Sequence, residues 1–172
     1  MKNTDLIITD FYWRYVQPIH DIPLFAAFEL SEKRFGEALQ GITEEQGLHR
    51  YQPEKWTIKE VVAHMLDTER IMAYRALRFA RNDKTPLAGF EEKDYAPEAN
   101  ANNRDFTSLR NEFANLRRST LDLFRSFTEE MMERSGTVNG NQLSVRALGY
   151  IIAGHMIHHC NILTERYRPS LQ

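Results

Sequence analysis

The chain has 172 residues, 42% of them hydrophobic and 27% charged, with a formal net charge of −2 at pH 7. That length corresponds to about one domain, long enough to bury a core without metal or disulfide staples. No basic field is present to attract nucleic acid or an anionic membrane surface, and the single cysteine, Cys160, excludes an intrachain disulfide.

At the N-terminus only Leu6, Ile7 and Ile8 are apolar before Thr9 and Asp10 interrupt, which does not read as a signal peptide. No stretch approaches the roughly 18 uncharged apolar residues of a membrane span. A cytoplasmic protein that meets neither nucleic acid nor membrane is expected. The aromatic segment FYWRYV at 11–16 is suited to cover one end of the fold or to meet a partner.

The first helical pattern follows Asp21, an expected N-cap, with Pro23 in the first turn, where its missing donor is harmless. Leu24, Phe28, Ser31, Phe35 and Leu39 share one stripe, and Gly41 closes the run. The second pattern opens at Trp56-Thr57-Ile58-Lys59-Glu60, where Thr57 and Glu60 have the spacing of a capping box, and should continue to about Asn82. More than twenty loop-like residues follow, from 82 to about 104, long enough to suggest a functional covering segment as readily as a connector. The third pattern begins near Asp105, with Phe106, Leu109, Phe113, Leu116, Leu123 and Phe127 as its apolar seam. The fourth starts near Ser144, after the turn-like VNGNQ, and runs to about Tyr167 before Pro169. Strand signals are nearly absent. Four amphipathic helices with a long crossover between the second and third predict an all-α four-helix bundle.

The six histidines carry the chemistry. On a wheel of about 100° per residue with His155 at zero, the apolar residues Leu148, Ile151, Ile152 and Ile162 centre near 20°. His159 falls at about 40° on the same wheel, inside that face, and His158 at about −60°, on its edge. His155 and His159 thus point inward one turn apart, a spacing at which two imidazoles can share one ion. His64 shares a face with Val61, Met65, Thr68, Ile71 and Met72 of the second helix and is the natural third ligand. His20 and His49 lie outside the strong patterns and read as surface residues. The bland alternative is three core histidines satisfied by hydrogen bonds, but three buried imidazoles leave several nitrogens to satisfy.

Other groups are weaker candidates. Asp67 and Glu60 flank His64 on the wheel, and Glu91, Glu92 and Asp94 of the loop can reach the site; none is assigned a catalytic role. Arg75 and Arg78, three to four turns along the same helix, could hold an anionic substrate but more simply pair with acids on neighbouring helices or across a dimer interface. Cys160 turns away from the histidine face and reads as a packed residue.

The segments KWTIKEVVAHMLDTERIMAYRALRFARND and SVRALGYIIAGHMIHHCNILTERY resemble the DinB-like (YfiT-related) superfamily of metal-binding four-helix bundles. The lead-in RYQPEKW carries Glu54 where that family commonly has glycine. The resemblance runs from about residue 20 to 167, which makes residues 1–172 a single domain with an N-terminal extension over 1–20. It implies a divalent ion, zinc or nickel, held by His64, His155 and His159, and a homodimer. It also implies small-molecule chemistry: transfer of a low-molecular-weight thiol to an electrophile first, metal-activated hydrolysis second. A non-catalytic metal-binding or sensing bundle is the rival, and a bundle without metal the third possibility. No HExxH base is present, because Met156 follows His155.

Overall fold

A computed structural model describes residues 6–171; the first five residues of the N-terminal extension and Gln172 lie outside the described residues. Seven α-helices and one β-hairpin follow in chain order among them: α1 (Asp10–Val16), α2 (Leu24–Ala38), α3 (Ile58–Ala80), α4 (Glu92–Glu98), α5 (Phe106–Arg125), α6 (Glu129–Glu133), β1 (Ser135–Val138), β2 (Asn141–Ser144) and α7 (Val145–Ile162). The long helices α2, α3, α5 and α7 form the expected four-helix bundle.

The starts of three of them follow from local chemistry. Thr57 Oγ1 accepts from the Glu60 amide at 3.0 Å while Glu60 Oε2 accepts from the Thr57 amide at 2.8 Å, so the capping box is complete. Asp105 caps α5 through the Ser108 amide at 2.6 Å, and Ser144 caps α7 through the Ala147 amide at 3.2 Å. At α2 the expected cap is displaced: Pro23, not Asp21, is the N-cap residue, with no side-chain cap bond. The proline disfavours helical backbone at Ile22, so the helix begins after it.

Helix α7 is the axis of the fold. It packs against α2 and α3, with α1 laid across it. Nearly every residue from Val145 to Met156 is buried, the composition of a helix surrounded by others rather than of a surface helix. Gly154 makes the α1 crossing possible, because a Cβ there would stand 2.1 Å from the carbonyl oxygen of Tyr15. Beyond Ile162 the helix widens into a π-helical turn, Leu163–Tyr167.

Three further sequence expectations need correction. The segment before α7 is a β-hairpin, whose Asn139 and Gly140 take φ of 46° and 76°, the left-handed pair that a two-residue hairpin turn requires. The 82–104 crossover is not all loop: it contains α4, and Leu87 pairs with the hairpin, its amide donating to Thr137 O at 2.9 Å. The α5 seam rotates away from Leu116 and Leu123, which are only partly buried, onto Arg117, Thr120 and Phe124.

Arg117 explains the rotation. Its guanidinium meets Glu69 of α3 in a two-pronged pair at 3.0 and 2.9 Å, and donates to Ser31 Oγ at 2.7 Å and Phe28 O at 3.1 Å on α2. Both charged side chains are 1% exposed. This polar layer separates two apolar clusters, one around Phe28, Phe79, Phe124 and Ile152, the other around Phe35, Leu66, Phe113 and Met156. His155 lies at the same level on α7, between Ile152 and Met156.

Candidate metal centre

The three histidines singled out in the sequence come together. His64 of α3 and His155 of α7 set their Nε2 atoms 3.0 Å apart, and His159 Nε2 lies 3.1 Å from His155 Nε2. His64 and His155 are 4% and 5% exposed, whereas His159 is partly open.

Burial pushes the His64 imidazole pKa down to about 4. Burial also holds His155 and His159 well below the ordinary histidine value, and the neighbouring imidazoles press them further down. All three rings are therefore neutral at pH 7, the form in which imidazole is a metal ligand. A hydrogen-bonded cluster fits this geometry poorly, since His155 Nε2 would have to share a single proton or lone pair between both neighbours. One imidazole nitrogen carries a proton or a lone pair, not both, so His155 Nε2 cannot donate to one neighbour and accept from the other. Three converging lone pairs fit a shared cation instead. Nitrogens that each stand about 2.0–2.1 Å from one ion lie roughly 3 Å apart, as His155 Nε2 does from each of the other two.

Aromatic rings fix the imidazoles. Trp56, just before the α3 cap, lies 4.9 Å from the His64 ring, and Tyr15 of α1 lies 5.3 Å from His155 and 5.2 Å from His158. His158 is exposed on the rim, as the wheel indicates. His20 bonds to Gln17 O and His49 to Ser170 Oγ, both away from the cluster.

The carboxylates sort themselves. Glu60 is committed to its cap and to Asn102, whose side chain donates to it at 2.8 Å, and at 8% exposure it is not a solvated helix acid. Asp67 faces Arg70 at 3.8 Å. Glu92, at the start of α4, brings Oε2 to 3.8 Å from His64 Nε2 with its side chain 49% exposed. The arginines are not at the cluster. Arg75 is buried, donates to Ala88 O at 3.1 Å and also meets the Tyr12 hydroxyl of α1, and Arg78 pairs with Asp83 and Tyr74, so both fasten the turn after α3. Cys160 is buried, its thiol pushed up to about 12 by desolvation, which excludes a ready thiolate.

Neither Tyr15 nor Trp56 was assigned to the site from the sequence. Trp56 carried a usable signal, an aromatic just ahead of a capping box and two turns before an inward histidine.

The fold agrees with what known proteins show. A family model described as the DinB superfamily matches residues 27–163, and the chain belongs to that superfamily. A protein of Oceanobacillus iheyensis, whose name assigns it provisionally to the metal-dependent hydrolases, is 25% identical over 147 residues, covering 84% of this chain and 82% of its own. The structure of YfiT from Bacillus subtilis, described as a probable metal-dependent hydrolase with an unusual four-helix bundle topology, superposes with a TM-score of 0.74 at 18% identity, covering 95% of this chain and 90% of that one. Among the described residues no helix is long and apolar enough to cross a membrane.

Proposed function

We propose that His64, His155 and His159 hold one divalent ion, zinc or nickel, and that the chain is a metal-dependent hydrolase of a small molecule. The observation that carries this reading is the convergence of three neutral imidazole nitrogens within 4.8 Å of one another, two of them buried. Three protein ligands leave coordination positions open, the layout of catalytic rather than structural zinc sites. An ion held there supplies Lewis acidity and lowers the pKa of water bound to it. The names of the relatives support the same class of reaction.

The chain's own residues do the rest. Trp56 and Tyr15 keep the imidazoles in place and exclude bulk water from one side of them. Glu92 is the carboxylate positioned to take a proton from attacking water and return it to the leaving group, filling the role for which no HExxH glutamate exists. The same carboxylate can accept a thiol's proton, so thiol transfer to an electrophile is the second reading. We place hydrolysis ahead of it because the names of the relatives support that class of reaction. The homodimer implied by the resemblance is a separate proposal, read out by sedimentation of the metal-loaded chain.

The test is turnover of activated aryl esters by the zinc- and nickel-loaded chain beside His155→Ala. Hydrolysis that disappears with the histidine supports the reading. Equal rates in the parent and in metal-free His155→Ala would remove it, and turnover only of a thiol with an electrophile would hand the site to the second reading.

A further inference from the structure

Two cavities reach the histidine cluster; both mix aromatic and charged walls, but acids outnumber cations in the first and cations outnumber acids in the second. The one beside His155 holds about 320 Å3 and is walled by Phe11, Tyr12 and Tyr15 of α1, Met72 of α3 and Phe90. These aromatic and thioether surfaces suit an apolar, ring-bearing group, with Glu91, Glu92 and Lys93 confined to the α4 side of the lining. Thr68 also lines it, its hydroxyl buried and without a hydrogen-bond partner.

The cavity beside His159 holds about 360 Å3 and is rimmed by Lys55, Lys93 and Arg166, with Trp56 among its walls. Its three cations outnumber its two carboxylates, Glu54 and Glu92. Neither lysine has an ion-pair partner among the described residues, and Arg166 reaches the Tyr51 hydroxyl at 3.4 Å. The π-helical turn Leu163–Tyr167 carries Arg166 to this rim. Glu92 and Lys93 border both cavities, so the start of α4 lies between them, with His155 in the wall of one and His159 in the wall of the other.

We propose that the substrate is an amphiphilic anion: an aromatic or other apolar acyl group in the His155 cavity, joined by an ester or amide bond at the histidine cluster to a carboxylate-bearing group in the His159 cavity. This inference rests on the hydrolytic reading and names its substrate class. In the reaction a water oxygen bonds to the acyl carbon and the bond from that carbon to the ester oxygen or amide nitrogen breaks. One water proton passes through Glu92 to the departing oxygen or nitrogen, leaving an apolar acid and an anionic alcohol or amine. The carboxylate is recognised by Lys93 and Arg166, the latter able to hold it with two parallel hydrogen bonds.

Binding and turnover separate the two claims. The uncleavable ether 4-(2-phenylethoxy)benzoate and its neutral methyl ester are titrated calorimetrically into the full chain, before and after zinc loading. The same is done with the Lys93→Gln/Arg166→Gln variant, whose changes fall on exposed side chains that the fold does not need. The acid should bind about tenfold more tightly than its methyl ester in the parent, and the ratio should fall to about one in the variant. Equal affinities in the parent, or no binding of either compound, overturn the proposal. Hydrolysis of 4-(phenylacetoxy)benzoate is then followed with the zinc-loaded chain. A charge preference in binding with no ester cleavage keeps the recognition inference and overturns the hydrolytic reading alone.

Discussion

Glu92 stands with Oε2 3.8 Å from Nε2 of His64, although α4 and α3 are joined by a turn that first pairs with a distant hairpin. A half-exposed carboxylate at that distance is too far to be a hydrogen-bond partner of the ring, but within reach of anything seated between them.

Glu92→Gln therefore separates proton transfer from metal holding. The variant should retain its metal and lose turnover by about 10²- to 10⁴-fold, the usual contribution of a positioned acid–base group. Metal content and single-substrate kinetics on the same preparation check it. Loss of the ion with the activity would make Glu92 a ligand instead.

Acid should weaken the metal-free fold through the buried imidazoles. Their folded pKa values are depressed, so below about 6.5 the unfolded chain binds protons that the folded chain refuses, and stability falls as the pH drops from there toward the folded value of about 4 for His64. At pH 5 the His64 contribution alone is on the order of 2 kcal/mol. Urea unfolding of the metal-free chain between pH 7.5 and 5 measures it. His64→Gln should flatten the slope, and an unchanged slope would contradict the burial of a neutral ring.

Gly154→Ala tests the crossing of α1 over α7. The new methyl would meet the Tyr15 backbone at 2.1 Å, a clash no rotamer relieves, so a loss of about 1–3 kcal/mol is expected. Faster proteolysis within residues 10–16 should accompany it. A change of a few tenths would mean that α1 does not lie as close as described.

Arg117→Met leaves Glu69 as an uncompensated buried charge and should cost about 3–5 kcal/mol in denaturant unfolding. Replacing both partners, Glu69→Leu with Arg117→Met, should recover much of the loss. If the double variant is no better than the single, the pair is not the source of the cost.

The long helices were legible because their signals are local: an apolar stripe at helical spacing and caps at Thr57, Asp105 and Ser144. The histidine cluster was legible because each imidazole lies on the apolar face of a strongly patterned helix, so the wheels alone aim all three inward. Arg117 was not, since a helix arginine reads as solvated until Glu69 on another helix is placed opposite it. The hairpin escaped because Ser-Gly-Thr-Val and Asn-Gln-Leu-Ser are too short for a period, although Asn139-Gly140 was its turn signal. Helix α4 escaped because its EKDYAPE sequence is charged and contains Pro97, and only its position over α3 makes it part of the site.

The measurement that tests the central claim most directly is metal content by mass spectrometry on the untagged chain, beside His64→Ala, His155→Ala and His159→Ala. The account predicts about one zinc or nickel ion per chain in the parent and none in any of the three variants. A parent that takes up no ion after incubation with either metal, or an ion that survives all three substitutions, would contradict it.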